Sequence, residues 1–229
     1  MPPTYAEAVF KILHSIVQAY KKLSPSEIIF SKGDILLPGF GIGAAYGRFF
    51  PRKPSAASDE VLGLKVSIDP KEFFEFGKKL AELKKSDKST PALSEYRKEG
   101  KIVSFLSRVY EEDMSVPGAS VSIGYSASRA KKCRARFEGL PEPGNYQSIP
   151  ASEFEKVKAS NEYPVPIRFG GEGGPRVGRE GNGLKVILHH KYLFGSAKSE
   201  ASIASAGEYV FLKVADGDFT TIHIFKTVQ

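Results

Sequence analysis

Apolar residues recur at helical spacing through the first part of the chain. From Tyr5 to Leu23 they fall at Val9, Leu13, Ile16, Val17 and Tyr20, one stripe of a 3.6-residue repeat. Lys21 and Lys22 close the stretch, where cations suit the negative end of a helix dipole. Ser24-Pro25-Ser26-Glu27 comes next. It has the spacing of a capping box with proline at the first helical position, and it predicts a short second helix. Asp69-Pro70 is a further start signal, with Asp69 as N-cap and Glu72 three residues on. Phe73, Phe76, Leu80 and Leu83 form the apolar face of that helix, and Lys78, Lys79, Lys84 and Lys85 lie on or beside its solvated face. Ser89 to Lys98 reads as another short helix, and Lys101 to Tyr110 fits helix or strand.

The pattern changes period in the second half. Val121, Ile123 and Tyr125 alternate with Ser120, Ser122 and Gly124, as in a half-buried strand. A short helix is expected from Ser152 to Ala159 and a strand from Leu184 to Phe194. Glu208 to Ala215 and Phe219 to Phe225 flank Asp216-Gly217-Asp218, a hairpin signal. Two loops are expected, Gly47 to Asp59 and the glycine-rich Gly170 to Gly183. Helices followed by strands predict an α+β fold, with a helical N-terminal half packed on a mainly antiparallel sheet formed by the C-terminal half. Residues 1–229 read as one domain, mostly helical over 1–115 and mostly β over 116–229.

Composition narrows the functional classes. The chain has 229 residues, 41% of them hydrophobic and 26% charged, as in a globular protein with a sizeable core. A formal charge of +7 favours anionic partners: nucleic acid, anionic lipid or an acidic protein. The single cysteine, Cys133, excludes an internal disulfide and a cysteine-based zinc cluster, and fits a reducing compartment. Glu7, Lys11 and His14 interrupt the first apolar stretch, so no signal peptide is expected. No run approaches the roughly 18 apolar residues of a spanning helix. The expected location is intracellular, cytoplasmic or peripheral to a membrane.

The densest charge is at Arg129, Lys131, Lys132, Arg134 and Arg136, five cations within eight residues. Such a run is either an anion-binding ridge for lipid or nucleic acid or a solvated edge that discourages aggregation. Arg168, Arg176 and Arg179 accompany the glycine-rich loop, which reads as a solvent loop or as a segment that orders on a partner.

Catalytic patterns are missing. Gly39, Gly41, Gly43 and Gly47 lack the strand–turn–helix setting of a dinucleotide site. His189 and His190 are adjacent, so on a strand they point to opposite faces and do not chelate one metal. Ser126 lacks the second glycine of a nucleophile elbow, and no base is marked for Cys133. The expectation is a protein that is not an enzyme and has no cofactor and no metal.

Pro2-Pro3-Thr4-Tyr5 is the most specific signal. Adjacent prolines favour polyproline II, which has little conformational entropy left to lose. A proline-rich segment ending in tyrosine suits the aromatic groove of a WW domain. Pro2-Pro3-x-Tyr5, followed by Ala6-Glu7-Ala8-Val9, resembles the late-domain segment of matrix proteins of enveloped negative-strand RNA viruses, the filoviral one in particular. Retroviral Gag proteins use the same motif. The resemblance implies WW-domain binding by Pro2, Pro3 and Tyr5, with a host ubiquitin ligase as partner during budding, and a place in the virion. Together these features predict a matrix-like structural protein that self-associates and binds anionic membrane through the 129–136 cations. The alternative is a nucleic-acid-binding nucleocapsid or coat component that uses the same run and the glycine-rich arginine loop on RNA.

Overall fold

A computed structural model describes residues 27–31, 33–38, 44–53, 65–73, 75, 78, 92–99, 102–111, 114–159, 165–169, 174–178, 183–187, 200–216 and 219–228. Strands dominate. In chain order they are β1 (Ile28–Ser31), β2 (Asp34–Pro38), β3 (Ala44–Pro51), β4 (Val66–Ile68), β5 (Ala92–Glu99), β6 (Ile102–Glu111) and β7 (Met114–Ser126). Helix α1 (Ala127–Glu138), β8 (Gln147–Ser148) and helix α2 (Ala151–Ala159) follow. The chain continues through β9 (Val165–Arg168), β10 (Arg176–Val177), β11 (Leu184–Val186), β12 (Glu200–Ala206), β13 (Tyr209–Asp216) and β14 (Phe219–Lys226).

Eleven strands form one sheet in the order β5-β6-β7-β4-β1-β2-β3-β14-β13-β12-β8, and β10-β9-β11 form a second of three. The described pairings are antiparallel. The α+β expectation with a helical N-terminal half is therefore corrected: β1 to β7 all arise before residue 127, and the fold is mostly antiparallel sheet.

The reasons are local. Glu27 opens no helix, because Ile28, Ile29 and Phe30 form a strand in which all three are fully buried. A strand covered on both faces reads as a continuous apolar run. The segment read as a helix from Ser89 to Lys98 instead contributes β5, paired with β6 from Ala92 to Glu99. Pairing along a whole strand outweighs a weak helical propensity. The ambiguous 101–110 stretch, rich in β-branched and aromatic residues, becomes β6. Gly47, read as the start of a loop, lies within β3, where it pairs with Leu37 and His223.

Other expectations hold. Asp69 Oδ1 accepts hydrogen bonds from the backbone N–H of Lys71 at 2.8 Å and Glu72 at 3.2 Å, as an N-cap should. Helix α2 and the β13–β14 hairpin stand where the sequence put them. The strand expected from Leu184 is described only over β11. The Tyr5–Leu23 helix and most of the glycine-rich loop lie outside the described residues. Two hairpin turns require glycine: Gly33 between β1 and β2 has φ 93° and Gly207 between β12 and β13 has φ 54°, conformations costly for other residues.

The sheet is covered on both sides at β1 and β2. On one side Ile29 and Leu36 pack against Ala130 and Cys133 of α1, with Phe137 beside them. On the other, Phe30 meets Phe73 edge to face at 6.0 Å. His223 of β14 is buried on the sheet between neighbouring Gly47 and Leu212.

Candidate functional site

Helix α1 brings the basic run onto one surface. Its start follows from Ser126, the last residue of β7, whose Oγ accepts the Arg129 N–H. Its end follows from Gly139, whose N–H returns to the Ala135 carbonyl, shortly before Pro141. In between, 3.6-residue periodicity sorts the side chains. Ala130 and Cys133 face the sheet and are buried. Phe137 turns the same way and meets Tyr46 of β3 edge to face at 6.3 Å. Arg129, Lys131, Lys132 and Arg136 are exposed, together with Ser128 and Ala135. Among the described residues, no carboxylate pairs with Lys131, Lys132 or Arg136.

Two ionic contacts fasten α1 to the sheet. Arg129 Nη1 reaches Glu27 Oε1 at 3.3 Å, and the same oxygen accepts the Ser67 hydroxyl at 3.2 Å. The second contact is deeper. Asp34 is 2% exposed, and Arg134 Nη1 donates to both its oxygens, at 2.9 and 3.2 Å. Arg48 Nε donates to Asp34 Oδ2 at 2.7 Å, while Arg134 Nε donates to Glu138 at 2.9 Å. Burial lowers the pKa of the Arg134 guanidinium, but hydrogen bonds and charge from Glu138 and Asp34 more than reverse this, so the group is held in its charged form. The predicted anion-binding set thus divides: four members lie on the exposed arc, and Arg134 is built into the fold.

Beside the C-terminal end of α1 lies an open cavity of about 390 Å³, walled by Phe137, Leu140, Tyr146, Phe211 and Ile224. Arg48 and Arg134 also line it. Lys213 stands over the Tyr146 ring at 5.5 Å, and burial raises the Tyr146 hydroxyl pKa.

The candidate nucleophiles have structural roles. Ser126 caps α1. Cys133 is buried, and its thiol is pushed up to about 11 by burial and by Glu27, against a smaller opposing effect of Arg136. No set of three metal-binding side chains occurs among the described residues, and none of their helices is long and apolar enough to cross a membrane. Pro2, Pro3, Tyr5, His189 and His190 lie outside the described residues. Sequence reasoning missed Asp34 and the ion-pair role of Glu27. The available signal was Asp34 itself, an acid at the head of the apolar Ile35-Leu36-Leu37 run.

The architecture is an antiparallel sheet that carries a cationic helix on one face. No protein-family profile matches the chain, and no curated protein matches it. Among solved structures, the β-clamp of Helicobacter pylori bound to a DNA ligase peptide is similar at TM-score 0.47 and 11% identity. The match covers 96% of this chain and 65% of that one, so this chain spans less than two-thirds of the neighbour's length. A likeness of this depth assigns no activity.

Proposed function

We propose that the protein is a non-enzymatic structural or assembly protein that binds a polyanion through the exposed arc of α1, and that the polyanion is a nucleic-acid backbone. The observation that carries this reading is the division of α1 into two faces. Ala130, Cys133 and Phe137 are spent on the sheet. Its outer arc holds Arg129, Lys131, Lys132 and Arg136 with only serine and alanine between them. A helix that settles into a membrane surface buries leucine or aromatic side chains beneath its cations. This arc has none to insert, so its attraction is purely electrostatic, the kind that reads phosphates without reading sequence. The roles of Ser126 and Cys133 in capping and packing leave neither of them placed as a nucleophile.

A second reading keeps the matrix-like role. It rests on Pro2-Pro3-Thr4-Tyr5, and takes anionic lipid as the polyanion, a WW-domain protein as partner and self-association as the mode of assembly.

The test compares the intact protein with an Arg129→Gln, Lys131→Gln, Lys132→Gln, Arg136→Gln variant. Anisotropy of a fluorescent duplex and flotation with phosphatidylserine vesicles are both measured against salt. Four phosphate contacts correspond to a slope of about −3.6 in log K against log salt, or roughly 100-fold between 50 and 200 mM. Such a slope, lost in the variant, is expected for the duplex. Flotation without duplex binding would favour the matrix-like reading, and an unaltered variant in both assays would refute the assignment to α1.

A further inference from the structure

The five cations of the basic run are not equivalent, and one buried carboxylate makes them so. Asp34 and Leu36 are successive same-face positions of β2, both turned toward α1. Leu36 packs on Ala130 and Cys133. Asp34 binds Arg134 with both oxygens. One apolar and one polar contact, about a turn apart on α1, fix how the helix is rolled on the sheet. A buried carboxylate must be paired, and Asp34 has two guanidiniums, from Arg134 and Arg48. The effect on exposure is large: the Arg134 side chain is 23% accessible and that of Arg129 is 71%.

We infer that Asp34 is a positioning residue for the cationic face: it draws Arg134 down to the sheet and sets the roll of α1, so that a bound polyanion meets Arg129, Lys131, Lys132 and Arg136 but not Arg134. The inference rests on the nucleic-acid reading for its consequence, not for the contact itself. Glu138 cooperates by holding Arg134 Nε from the exposed side, and Arg48 shares the carboxylate from β3.

Two measurements on the full chain test it. The first is the salt slope of duplex binding. Lys132→Gln should flatten the slope by about 0.9, the share of one phosphate contact, whereas Arg134→Gln should leave it unchanged. Asp34→Ala should steepen it by up to about 0.9 as Arg134 swings outward, and the increment should vanish in the Asp34→Ala, Arg134→Gln double variant. A role confined to stability would not give an increment that depends on Arg134. The second is labelling with an arginine-specific dicarbonyl, followed by peptide mass analysis. Arg134 should react far more slowly than Arg129 in the unaltered protein, and as fast as Arg129 in Asp34→Ala.

An Arg134→Gln slope as flat as that of Lys132→Gln would overturn the inference, as would fast labelling of Arg134 in the unaltered protein. If the unaltered protein binds no duplex, the nucleic-acid reading fails, while labelling still decides the Asp34 contact. If Asp34→Ala does not fold, the Arg134→Gln slope and the labelling of the unaltered protein decide it.

Discussion

Acidification should weaken the fold through His223 well before the carboxylates titrate. The side chain is fully buried in β14, and burial pulls its pKa from the ordinary 6.5 down to about 3. In the unfolded chain it takes up a proton near 6.5, whereas in the folded chain it stays neutral. Between those values the unfolded state binds more protons, so stability falls as pH falls. It is complete above the unfolded value and declines by about 1.4 kcal/mol per pH unit below it. Between pH 7 and pH 5 the loss is about 2 kcal/mol, a large share of a typical domain's 5–15 kcal/mol. The assay is urea unfolding at a series of pH values, with His223→Gln as reference. Glutamine does not titrate, and the other histidines remain in both proteins. The difference between the two curves therefore isolates His223. It should change steeply from pH 6.5 to pH 5 and be flat above pH 7. Parallel curves across that range would show that the imidazole charges without cost in the folded state, and would refute the argument.

Three further outcomes follow from other contacts. Cys133, with its pKa at about 11 and its side chain buried, should resist maleimide at pH 8 in the native protein and react fully in urea; native labelling at the rate of a free thiol would contradict the packing. Glu153 is held below the usual carboxylate range by Lys156 and by the Val177 N–H, so Glu153→Gln should flatten the stability curve only below about pH 4.5, where the folded carboxylate would otherwise be protonated at a cost; an altered curve near neutrality would count against this. A peptide of residues 1–10 should bind WW domains at micromolar strength and lose binding on Tyr5→Ala, and no binding by the unaltered peptide would remove the basis of the matrix-like reading.

The strands that were legible in the sequence are those with a local signature. The β13–β14 hairpin announces itself through alternating residues around Asp216-Gly217-Asp218, and β7 through Val121, Ile123 and Tyr125. The strands that misled are those whose partner is distant or whose faces are both covered. Glu27 sits at the right spacing for a capping box, yet Ile29 to Ser31 pair with Asp34–Leu36 on one side and Ile28 to Phe30 with Val66–Ile68 on the other. The second pairing, nearly 40 residues away, is invisible to any local pattern. The charged composition of Ala92–Glu99 resembles a solvated helix, and only the long register with β6 reveals a strand.

The basic run shows the same limit on a smaller scale. Sequence proximity grouped five cations that helical periodicity then separated. Arg134 lies one turn from Ala130 and one residue from Cys133, on the face that needs apolar contact. A guanidinium there is tolerable only with a buried carboxylate beneath it, and the chain supplies one 100 residues earlier, at Asp34. Charge density in a sequence counts cations; which of them can reach a phosphate is decided by the acid they fold against. The four cations that keep their exposure do so because Ala130, Cys133 and Phe137 have already committed the opposite side of α1 to the sheet.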